Sequence, residues 1–384
     1  MRRAAIPLVV ATVLAACPGD GSPPIPEVIT AIDAGWGYTC ALSDSARAYC
    51  WGGVGVAEGA DSLATATPRP VRGDLPFQTI GVGDGFACGF VNGADVRCWA
   101  LSAARRIPDG RIGDPVPQQP ADEPYFASLY VGQLHVCALD PQGHAYCWGE
   151  NMRGQLGIGV FGGTLWNRRQ TPTPVATSVT FRELSLGADW TCGLALNGDV
   201  YCWGGGSGGP DPTPFVVVSG QSFTTFATGG PDGGRDRTCA FDSTATLSCW
   251  GTYHLGPPSP AVVTPPTGIT FARVQVGGGL YFHNPLPYQY QTQACALATS
   301  GQAFCWGDNL LGQLGDGTTT PHAAPAAAAG ALLFQSISTG NFHTCGITTL
   351  VEAYCWGANK WGELGTGTTD SVPATMPVRV HVYR

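Results

Sequence analysis

The sequence predicts an all-β fold, a seven-bladed β-propeller of four-stranded blades, from three observations. Of the 15 cysteines, all but one fall into seven pairs, with nine residues between the two members of each pair. The pairs recur about every 51 residues, which is close to the length of a propeller blade and well above the leucine-rich repeat. The 55 Gly and 31 Pro residues, with only 12% charged residues, indicate short strands and many turns rather than helices.

Each repeat contains a predicted β-hairpin around its cysteine pair. In the third repeat the two strands flank a turn of the Asp-Pro-Gln-Gly type at residues 140–143, with apolar residues alternating on both sides. Directly opposed residues of antiparallel strands have Cα atoms about 4.5–5.5 Å apart, which is within disulfide reach. The predicted disulfides are Cys40 with Cys50, Cys88 with Cys98, Cys137 with Cys147, Cys192 with Cys202, Cys239 with Cys249, Cys295 with Cys305, and Cys345 with Cys355.

Zinc binding is the competing interpretation of these cysteines. The spacing is not that of zinc ligands, and each repeat offers one cysteine pair and no recurring histidine. We therefore expect disulfides and no metal site.

A tryptophan follows the second cysteine of every pair. A large ring at one position per blade is expected to pack between neighbouring blades, so these residues are predicted core and not ligand-stacking groups. They are Trp51, Trp99, Trp148, Trp203, Trp250, Trp306 and Trp356.

The segments after three of these tryptophans resemble the repeat of the regulator of chromosome condensation family. They read Glu-Asn-Met-Arg-Gly-Gln-Leu-Gly at 150–157, Asp-Asn-Leu-Leu-Gly-Gln-Leu-Gly at 308–315, and Ala-Asn-Lys-Trp-Gly-Glu-Leu-Gly at 358–365. The resemblance covers about residues 27–384 and implies a seven-bladed propeller. It also implies nucleotide exchange on a small GTPase, as in some eukaryotic members, but an exported acidic protein would meet no such partner.

The ends of the chain suggest how the ring closes. Most repeats contain a proline-led strand such as residues 172–175, then a strand leading to a glycine, then the cysteine hairpin. The first repeat begins at the second of these, at residues 28–35, and the chain ends with a further proline-led segment at 376–382. We expect this C-terminal strand to pair into the first blade and remove the open edge.

The N-terminus resembles an export signal with a lipid anchor. Residues 1–16 combine two arginines with an apolar stretch too short to span a bilayer, which is typical of a signal peptide. Leu14-Ala15-Ala16-Cys17 resembles the bacterial lipobox, and Cys17 is the one cysteine without a partner. An ordinary signal peptide with an unrelated cysteine is the alternative. The sequence thus predicts a lipoprotein signal peptide (1–16), a lipidated tether (17–26) and a propeller (27–384), placed at the outer membrane or cell surface of a bacterium.

Charge and motifs narrow the function classes. A net charge of −8 disfavours nucleic acid as a partner, because phosphate binding calls for a basic surface. Residues 205–209 match the nucleophile-elbow pattern only because the residues around the serine are all glycine, and residues 157–162 match a dinucleotide fingerprint without a following helix. With no catalytic constellation and no cofactor motif, we expect a binding protein and not an enzyme.

A position that varies between repeats is the candidate binding surface. The residue two before each first cysteine begins a strand just after a turn, on the same side of the ring in every blade, and we expect these residues to form a rim around the channel mouth. Including neighbours, the predicted rim comprises Trp36, Tyr38, Phe86, His135, Trp190, Arg237, Gln293, Phe342 and His343.

The main insertion, residues 277–290, lies in the same loop. It holds aromatic residues between glycine and proline breakers, which is typical of a functional loop or of packing over a blade edge. Its predicted rim residues are Tyr281, Phe282, Tyr288 and Tyr290. Smaller insertions lie at 229–237 and 161–169.

Together these features predict a monomeric, envelope-anchored propeller that binds an extracellular or envelope protein or glycan through an aromatic-rich loop face. It would contact the membrane only through its lipid anchor. The alternative is an exported enzyme acting on cell-wall or extracellular polysaccharide.

Overall fold

The computed structural model describes residues 28–53, 65–93, 95–101, 108, 124–161, 168–206, 209–230, 237–251, 260–281 and 289–381. Within these ranges the chain forms antiparallel sheets and no helix, which confirms the all-β, seven-bladed prediction. Cys17, the signal peptide, the tether, Phe282 and Tyr288 lie outside the described residues, as do most of the two smaller insertions.

The first three blades are built from consecutive strands. Blade one contains β1 (Ile29–Ala34), β2 (Tyr38–Ser43), β3 (Ala48–Gly52) and β4 (Thr65–Pro70). Blade two contains β5 (Gly81–Val82), β6 (Phe86–Val91) and β7 (Asp95–Ala100), a three-stranded sheet in the described part of the chain. Blade three contains β8 (Ser128–Val131), β9 (His135–Leu139), β10 (Ala145–Gly149) and β11 (Arg169–Pro174).

The remaining four blades each have four strands. Blade four contains β12 (Phe181–Leu186), β13 (Trp190–Ala195), β14 (Val200–Gly206) and β15 (Gly209–Val218). Blade five contains β16 (Phe223–Gly229), β17 (Arg237–Asp242), β18 (Leu247–Gly251) and β19 (Ala261–Val262). Blade six contains β20 (Phe271–Tyr281), β21 (Gln289–Ala298), β22 (Ala303–Gly307) and β23 (His322–Ala327). Blade seven contains β24 (Phe334–Thr339), β25 (His343–Thr348), β26 (Ala353–Asn359) and β27 (Asp370–Arg379).

The cysteines lie directly opposite each other on the second and third strands of every blade, as in the pair Cys40–Cys50. All seven predicted disulfides form, with Cα atoms 4.0–4.1 Å apart, and the prediction is confirmed.

The predicted core tryptophans are buried between blades. Trp99 of blade two packs in the cluster that contains Tyr38 and Leu42 of blade one, and Trp51 of blade one packs with Leu364 of blade seven. All seven are between 0% and 5% exposed. The interpretation of these rings as core is therefore confirmed.

The ring closes differently from the sequence prediction. The proline-led strand is the last strand of its own blade: Arg69 of β4 pairs with Cys50 of β3, and Val378 of β27 pairs with Cys355 of β26. The prediction that the C-terminal strand pairs into the first blade was wrong. The reason is that the outer edge of the third strand is free to pair with the next segment of the chain, which supplies the fourth strand of the same blade in all six blades whose four strands are described.

Contacts between complete blades close the ring instead. Each innermost strand contacts the next around the channel, and β24 contacts β1. Asn341 donates its backbone N–H to the carbonyl of Gly35 at 3.2 Å, and the Ala34 N–H donates to Ser338 Oγ at 3.0 Å. Val380, which follows β27, is buried in the same hydrophobic cluster as Trp51. Blade seven is thus joined to blade one by side chains and loops.

Candidate functional site

Most of the long connections between described strands of one blade leave the propeller at one end. In an antiparallel four-stranded blade, the connections from strand one to two and from strand three to four emerge at the same end of the sheet. We call this end the loop face; it carries segments such as 150–161 and 308–321, and the end of β20 and the start of β21 also lie there. The opposite end, the turn face, carries the short hairpin turns such as 44–47, 196–199 and 349–352, together with connections between consecutive blades such as 71–80 and 219–222. Loop length therefore varies on the face where the sequence predicted the binding rim.

The side chains predicted to form that rim are buried. Six of the seven positions begin the second strand of their blade as expected, and Gln293 lies within β21. Their exposed fractions range from 0% to 8%, and Phe342 is 1% exposed. The expectation of an exposed rim at these positions was wrong, and we call the set the buried ring. It comprises Tyr38, Phe86, His135, Trp190, Arg237, Gln293 and His343.

Burial follows from the place of the second strand in a propeller. This strand is flanked by strands on both edges and by neighbouring blades on both faces, so every residue of β2, β6 and β13 is buried. Four of these side chains also lie against a glycine three residues earlier in the chain, namely Phe86, His135, Trp190 and His343. A Cβ on Gly340 would lie 2.9 Å from the Cε1 atom of His343, and a Cβ on Gly83 would clash with the Phe86 ring. This Gly-x-x spacing was the sequence signal that could have revealed the burial.

The two histidines of the buried ring bond to threonines of the following blade. His135 Nε2 lies 2.7 Å from Thr191 Oγ1, and His343 Nε2 lies 2.8 Å from Thr39 Oγ1. Each threonine uses its single proton to donate to a backbone carbonyl, so its oxygen accepts from the histidine. Both rings therefore carry the proton on Nε2.

Neither ring is set up for acid–base chemistry at neutral pH. Burial lowers the pKa of both His135 and His343 to about 3. The second ring nitrogen, Nδ1, is buried without a hydrogen-bond partner in the described part of the chain, so a second proton there would be unsatisfied. These histidines are neutral joints between blades.

The Gly-Gln-Leu-Gly turn forms the other half of these joints. The backbone carbonyl of Gln155 accepts from Thr191 Oγ1 at 2.8 Å and from Trp203 Nε1 at 3.0 Å, both in the next blade. The backbone carbonyl of Gln313 accepts the two equivalent hydrogen bonds, from Thr344 Oγ1 and from Trp356 Nε1 of blade seven.

The turn of blade seven repeats this joint across the closure. The Glu363 carbonyl accepts from Thr39 Oγ1 and Trp51 Nε1, both at 2.8 Å. The ring therefore closes with the same joint that links blades three to four and six to seven.

The Glu363 side chain is a buried carboxyl in a position that holds glutamine in the other two turns. It is 0% exposed, and one oxygen accepts the Trp361 N–H at 2.7 Å. Burial raises the pKa of Glu363 to about 7, opposed by hydrogen bonding and by the charge of Lys360. The equivalent Gln313 donates its amide to Gln291 at 3.1 Å, a bond that an ionised carboxylate cannot make.

An aromatic pair remains accessible on the loop face. Trp36 stacks on Trp361 with ring centroids 4.8 Å apart, and both are partly buried over Phe342 and Leu311. Lys360 is exposed, with its Nζ atom 5.8 Å from the Trp361 ring. Other exposed apolar side chains in the third-to-fourth-strand connections are Met152, Val160, Phe161 and Leu310. Among the predicted rim residues whose side chains the structure describes, Trp36 is partly accessible.

The main insertion begins as an extension of its blade. Strands β20 and β21 are longer than the other hairpins and pair as far as Tyr281 with Gln289. The backbones of Tyr281 and Tyr290 thus lie at the end of this hairpin on the loop face.

A hydrogen bond spans the channel at the loop face. Gln133 of blade three donates its amide to Asn341 Oδ1 of blade seven at 3.0 Å, which joins blades on opposite sides of the ring. The channel encloses a cavity of about 310 Å³ lined by the seven innermost strands. Its Asp33 carboxylate accepts from the Val82 N–H and from Ser338 Oγ, each at 2.8 Å.

Both channel carboxyls are held in structural hydrogen bonds. Burial raises the pKa of Asp33, opposed by the bonds from Ser338 and Val82. Burial likewise raises the pKa of Glu183, which accepts from Thr225 Oγ1 at 3.0 Å.

The described residues contain no group of three metal-ligating side chains. Nor does the described part of the chain include a helix of the length and hydropathy needed to cross a membrane.

Family models recognise two parts of the chain. The model of the regulator of chromosome condensation (RCC1) repeat matches residues 142–194 and 300–347, and a second model of this repeat matches residues 126–155. The two longer matches contain the turns at Gln155 and Gln313, whose carbonyls join the blades.

Curated relatives share the repeat at low identity. The ultraviolet-B receptor UVR8 of Arabidopsis thaliana is 22% identical over 261 residues, which covers 61% of this chain and 53% of UVR8. The human E3 ubiquitin-protein ligase HERC2 is 25% identical over 384 residues, covering 80% of this chain and 8% of HERC2. The chain thus spans about half of UVR8 and a small part of HERC2.

Solved structures share the fold. Human WBSCR16 superimposes with a TM-score of 0.69 at 17% identity, covering 85% of this chain and 89% of WBSCR16. Prp20p of Saccharomyces cerevisiae, studied for its binding to Gsp1p and histones, gives a TM-score of 0.67 at 16% identity, covering 94% and 87%. The ectodomain of the Arabidopsis thaliana receptor kinase ACR4 gives 0.52 at 21% identity, covering 91% and 100%.

Proposed function

We propose that the protein is an exported, envelope-anchored propeller of the RCC1 type whose loop face binds a partner protein. The observation that carries this proposal is the asymmetry between the two faces. The loop face carries long connections such as 308–321, whereas the described connections on the turn face have at most ten residues. Variable loops on a rigid scaffold are the usual place for recognition.

The accessible side chains of the loop face support protein binding. The Trp36–Trp361 stack offers apolar ring surface beside the exposed Lys360 ammonium group. Tryptophan next to a polar rim is typical of interface hot spots, because a flat ring buries much area at low entropic cost. RCC1-type propellers are typically protein-interaction modules, and Prp20p binds Gsp1p and histones. We propose protein binding for this chain and do not propose these partners.

Export is supported by the disulfides. Seven cross-strand disulfides are typical of a protein that folds in an oxidising compartment. The anchor is proposed at Cys17, the cysteine left without a partner in the sequence. Membrane fractionation tests it: full-length protein should sediment with membranes and carry a diacylglyceryl mass, and the Cys17→Ser variant should lose both. A variant that keeps both would exclude this anchor.

The binding proposal is tested with matched variants on the two faces. Tagged full-length protein is used to capture its partner from detergent-solubilised envelopes, and the affinity of the purified pair is then measured. Changing Trp36 and Trp361 together to Ala should weaken binding at least tenfold, or about 1.4 kcal/mol. The control changes Leu196 and Leu350 together to Ala, because these exposed leucines lie on the turn face.

The control variant should bind like the wild type. Equal loss in both variants, or in neither, would contradict a site on the loop face. The predicted residues Tyr281, Phe282, Tyr288 and Tyr290 of the main insertion are tested in the same assay by shortening residues 282–288. We expect this deletion to weaken binding as well.

A further inference from the structure

An exposed apolar patch lies on the turn face of blade seven. In the hairpin turn between β25 and β26, Leu350 is 80% exposed and Val351 is 38% exposed. The backbone N–H of Thr349 donates to the carbonyl of Leu333 at 2.8 Å, and Leu333 is itself 46% exposed. We call Leu333, Leu350 and Val351 the apolar patch. It lies at the opposite end of the propeller from the loop face.

Folding does not account for the two apolar residues of this turn. Val351 has a φ of 62°, a left-handed conformation that is unfavourable for a β-branched side chain, and the equivalent residues of the other blades are all glycine or alanine. Leu350 adds little packing because most of it is exposed. Its equivalents are polar or glycine: Ser45, Gly93, Gln142, Asn197, Thr244 and Ser300. Exposed apolar side chains held in strained backbone indicate a function outside the fold.

The part of the chain that carries the patch is uncharged. Residues 323–351 contain no Asp, Glu, Lys or Arg, and they supply the connection between blades six and seven as well as the turn. His343, the one histidine of this stretch, is buried. Glu352, which follows the patch, is paired with Arg379, with Oε1 and Nη2 2.7 Å apart. A surface of this kind can enter the headgroup region of a lipid bilayer without desolvating an unpaired charge.

The chain enters the propeller beside this patch. Val28 precedes β1 on the turn face, and the next residue, Ile29, is buried in one hydrophobic cluster with Ile347 and Ala353, which flank the turn of blade seven. The proposed lipid anchor, Cys17, precedes Val28 by eleven residues. An extended chain of that length spans at most about 40 Å. An anchor at Cys17 is therefore joined to the turn face and not to the loop face.

We propose that the apolar patch docks on the membrane to which Cys17 anchors the chain, with Leu350 and Val351 entering the headgroup region. This inference rests on the proposed anchor. Three side chains offer too little apolar area to hold the propeller on a bilayer by themselves. The tether supplies a high effective concentration, because the contact then forms within one anchored molecule. Docking orients the propeller so that the loop face points away from the membrane, towards a partner.

The test places a photoreactive benzophenone amino acid at position 349, where the native Thr349 is exposed beside the patch. Full-length lipidated protein is reconstituted in vesicles of phosphatidylethanolamine and phosphatidylglycerol and irradiated, and lipid adducts are measured by mass spectrometry. The native patch should give lipid adducts. The double variant Leu350→Ser, Val351→Gly should give roughly tenfold fewer, because each apolar side chain contributes to membrane affinity.

The double variant is expected to fold like the wild type. It copies Ser300 and Gly301 in the equivalent turn of blade six, and glycine adopts the left-handed conformation without strain. Thermal unfolding checks this. The positional control moves the benzophenone residue to Leu310, which is 43% exposed on the loop face and should give no lipid adduct.

The outcomes separate docking from anchoring. Equal lipid adducts from position 349 with the native patch and with the double variant would overturn the proposal, and so would an adduct to protein in place of lipid. Sedimentation of the same vesicles reports on the anchor. Protein that sediments without a lipid adduct contradicts docking alone, whereas protein that fails to sediment contradicts the anchor and the docking together. Partner affinity at the loop face is measured without vesicles and is independent of both results.

Discussion

At the scale of single residues, the same position of the repeat holds chemically different side chains in different blades. Position two before the first cysteine holds an aromatic ring, a histidine, an arginine or a glutamine, and all are buried. The turn position that is Gln155 in blade three is Glu363 in blade seven. Buried groups that titrate make the stability of the fold depend on pH. The equivalent position in another blade holds a residue that does not titrate, which shows which substitution the fold accepts.

The first prediction concerns Glu363. Its pKa is raised from 4.5 to about 7 in the folded protein, so it stabilises the fold fully below about pH 4.5 and loses this contribution as the pH rises to about 7. Glu363→Gln should remove that loss and be more stable than the wild type at pH 8, by up to about 3 kcal/mol. Urea unfolding at pH 4.5 and pH 8 measures the difference.

Gln313→Glu is the mirror-image control for this prediction. It places a carboxyl in the equivalent turn of blade six and should introduce a similar loss of stability between the same two pH values. If Glu363→Gln keeps the pH dependence of the wild type, Glu363 is not its source.

The second prediction concerns acid stability through His343. Its pKa is about 3 in the folded protein against an ordinary 6.5, so its stabilising effect is complete above about pH 6.5 and is lost as the pH falls towards 3. His343→Gln copies Gln293 of blade six and should lose less stability than the wild type between pH 7.5 and pH 4.5, by about 2–3 kcal/mol. Calorimetry at the two pH values checks this, and equal losses in both proteins would contradict it.

At the scale of structural elements, the Gly-Gln-Leu-Gly turn is a joint between blades. Where it is present, its carbonyl accepts the indole N–H of the next blade, as Gln155 does from Trp203. Trp148 follows a blade without this turn, and its indole N–H is buried with no partner among the described residues. The repeat tryptophan therefore packs between blades in every repeat, but its indole N–H bonds to a turn carbonyl only where the preceding blade has this turn.

The third prediction compares these two tryptophans. Trp203→Phe and Trp148→Phe remove the same ring volume from sites that are 1% and 0% exposed. The first also removes a buried hydrogen bond, so it should cost roughly 0.5–1.5 kcal/mol more than the second. Chemical denaturation of the two variants at one pH measures this difference. Equal destabilisation would show that the turn carbonyl contributes no net stability.

At the scale of the whole molecule, seven blades form a ring in which no described strand is shared between two blades. The C-terminal strand β27 completes blade seven, and the joint to blade one is made by Asn341, Ser338 and the Glu363 turn. An element that is not shared can be trimmed without opening the ring.

The fourth prediction follows from this closure. Deleting residues 376–384 removes the outer part of β27 and the Val380 side chain, which is 5% exposed, and should cost a few kcal/mol. The truncated protein should still unfold in one cooperative transition at a lower temperature. Scanning calorimetry tests this, and loss of cooperativity would mean that the strand itself holds the ring together.

The sequence by itself determined the number of blades, the disulfides and the buried tryptophans. These features repeat at a fixed period, and a cysteine pair such as Cys40 and Cys50 specifies two directly opposed residues on neighbouring strands. It also located the loop side of the ring, because loop length is visible in the sequence. Local spacing was enough for each of these conclusions.

Only the tertiary structure decided which side chains on that side reach solvent and how the ring closes. The exposure of Trp190 or His343 depends on neighbouring blades that are distant in sequence, and those blades cover both faces of the second strand. Closure depended on which strand the proline-led segment pairs with, and that strand is the third strand of its own blade. Period-two alternation cannot report burial when a strand is covered on every side, so the contacts between blades had to be seen.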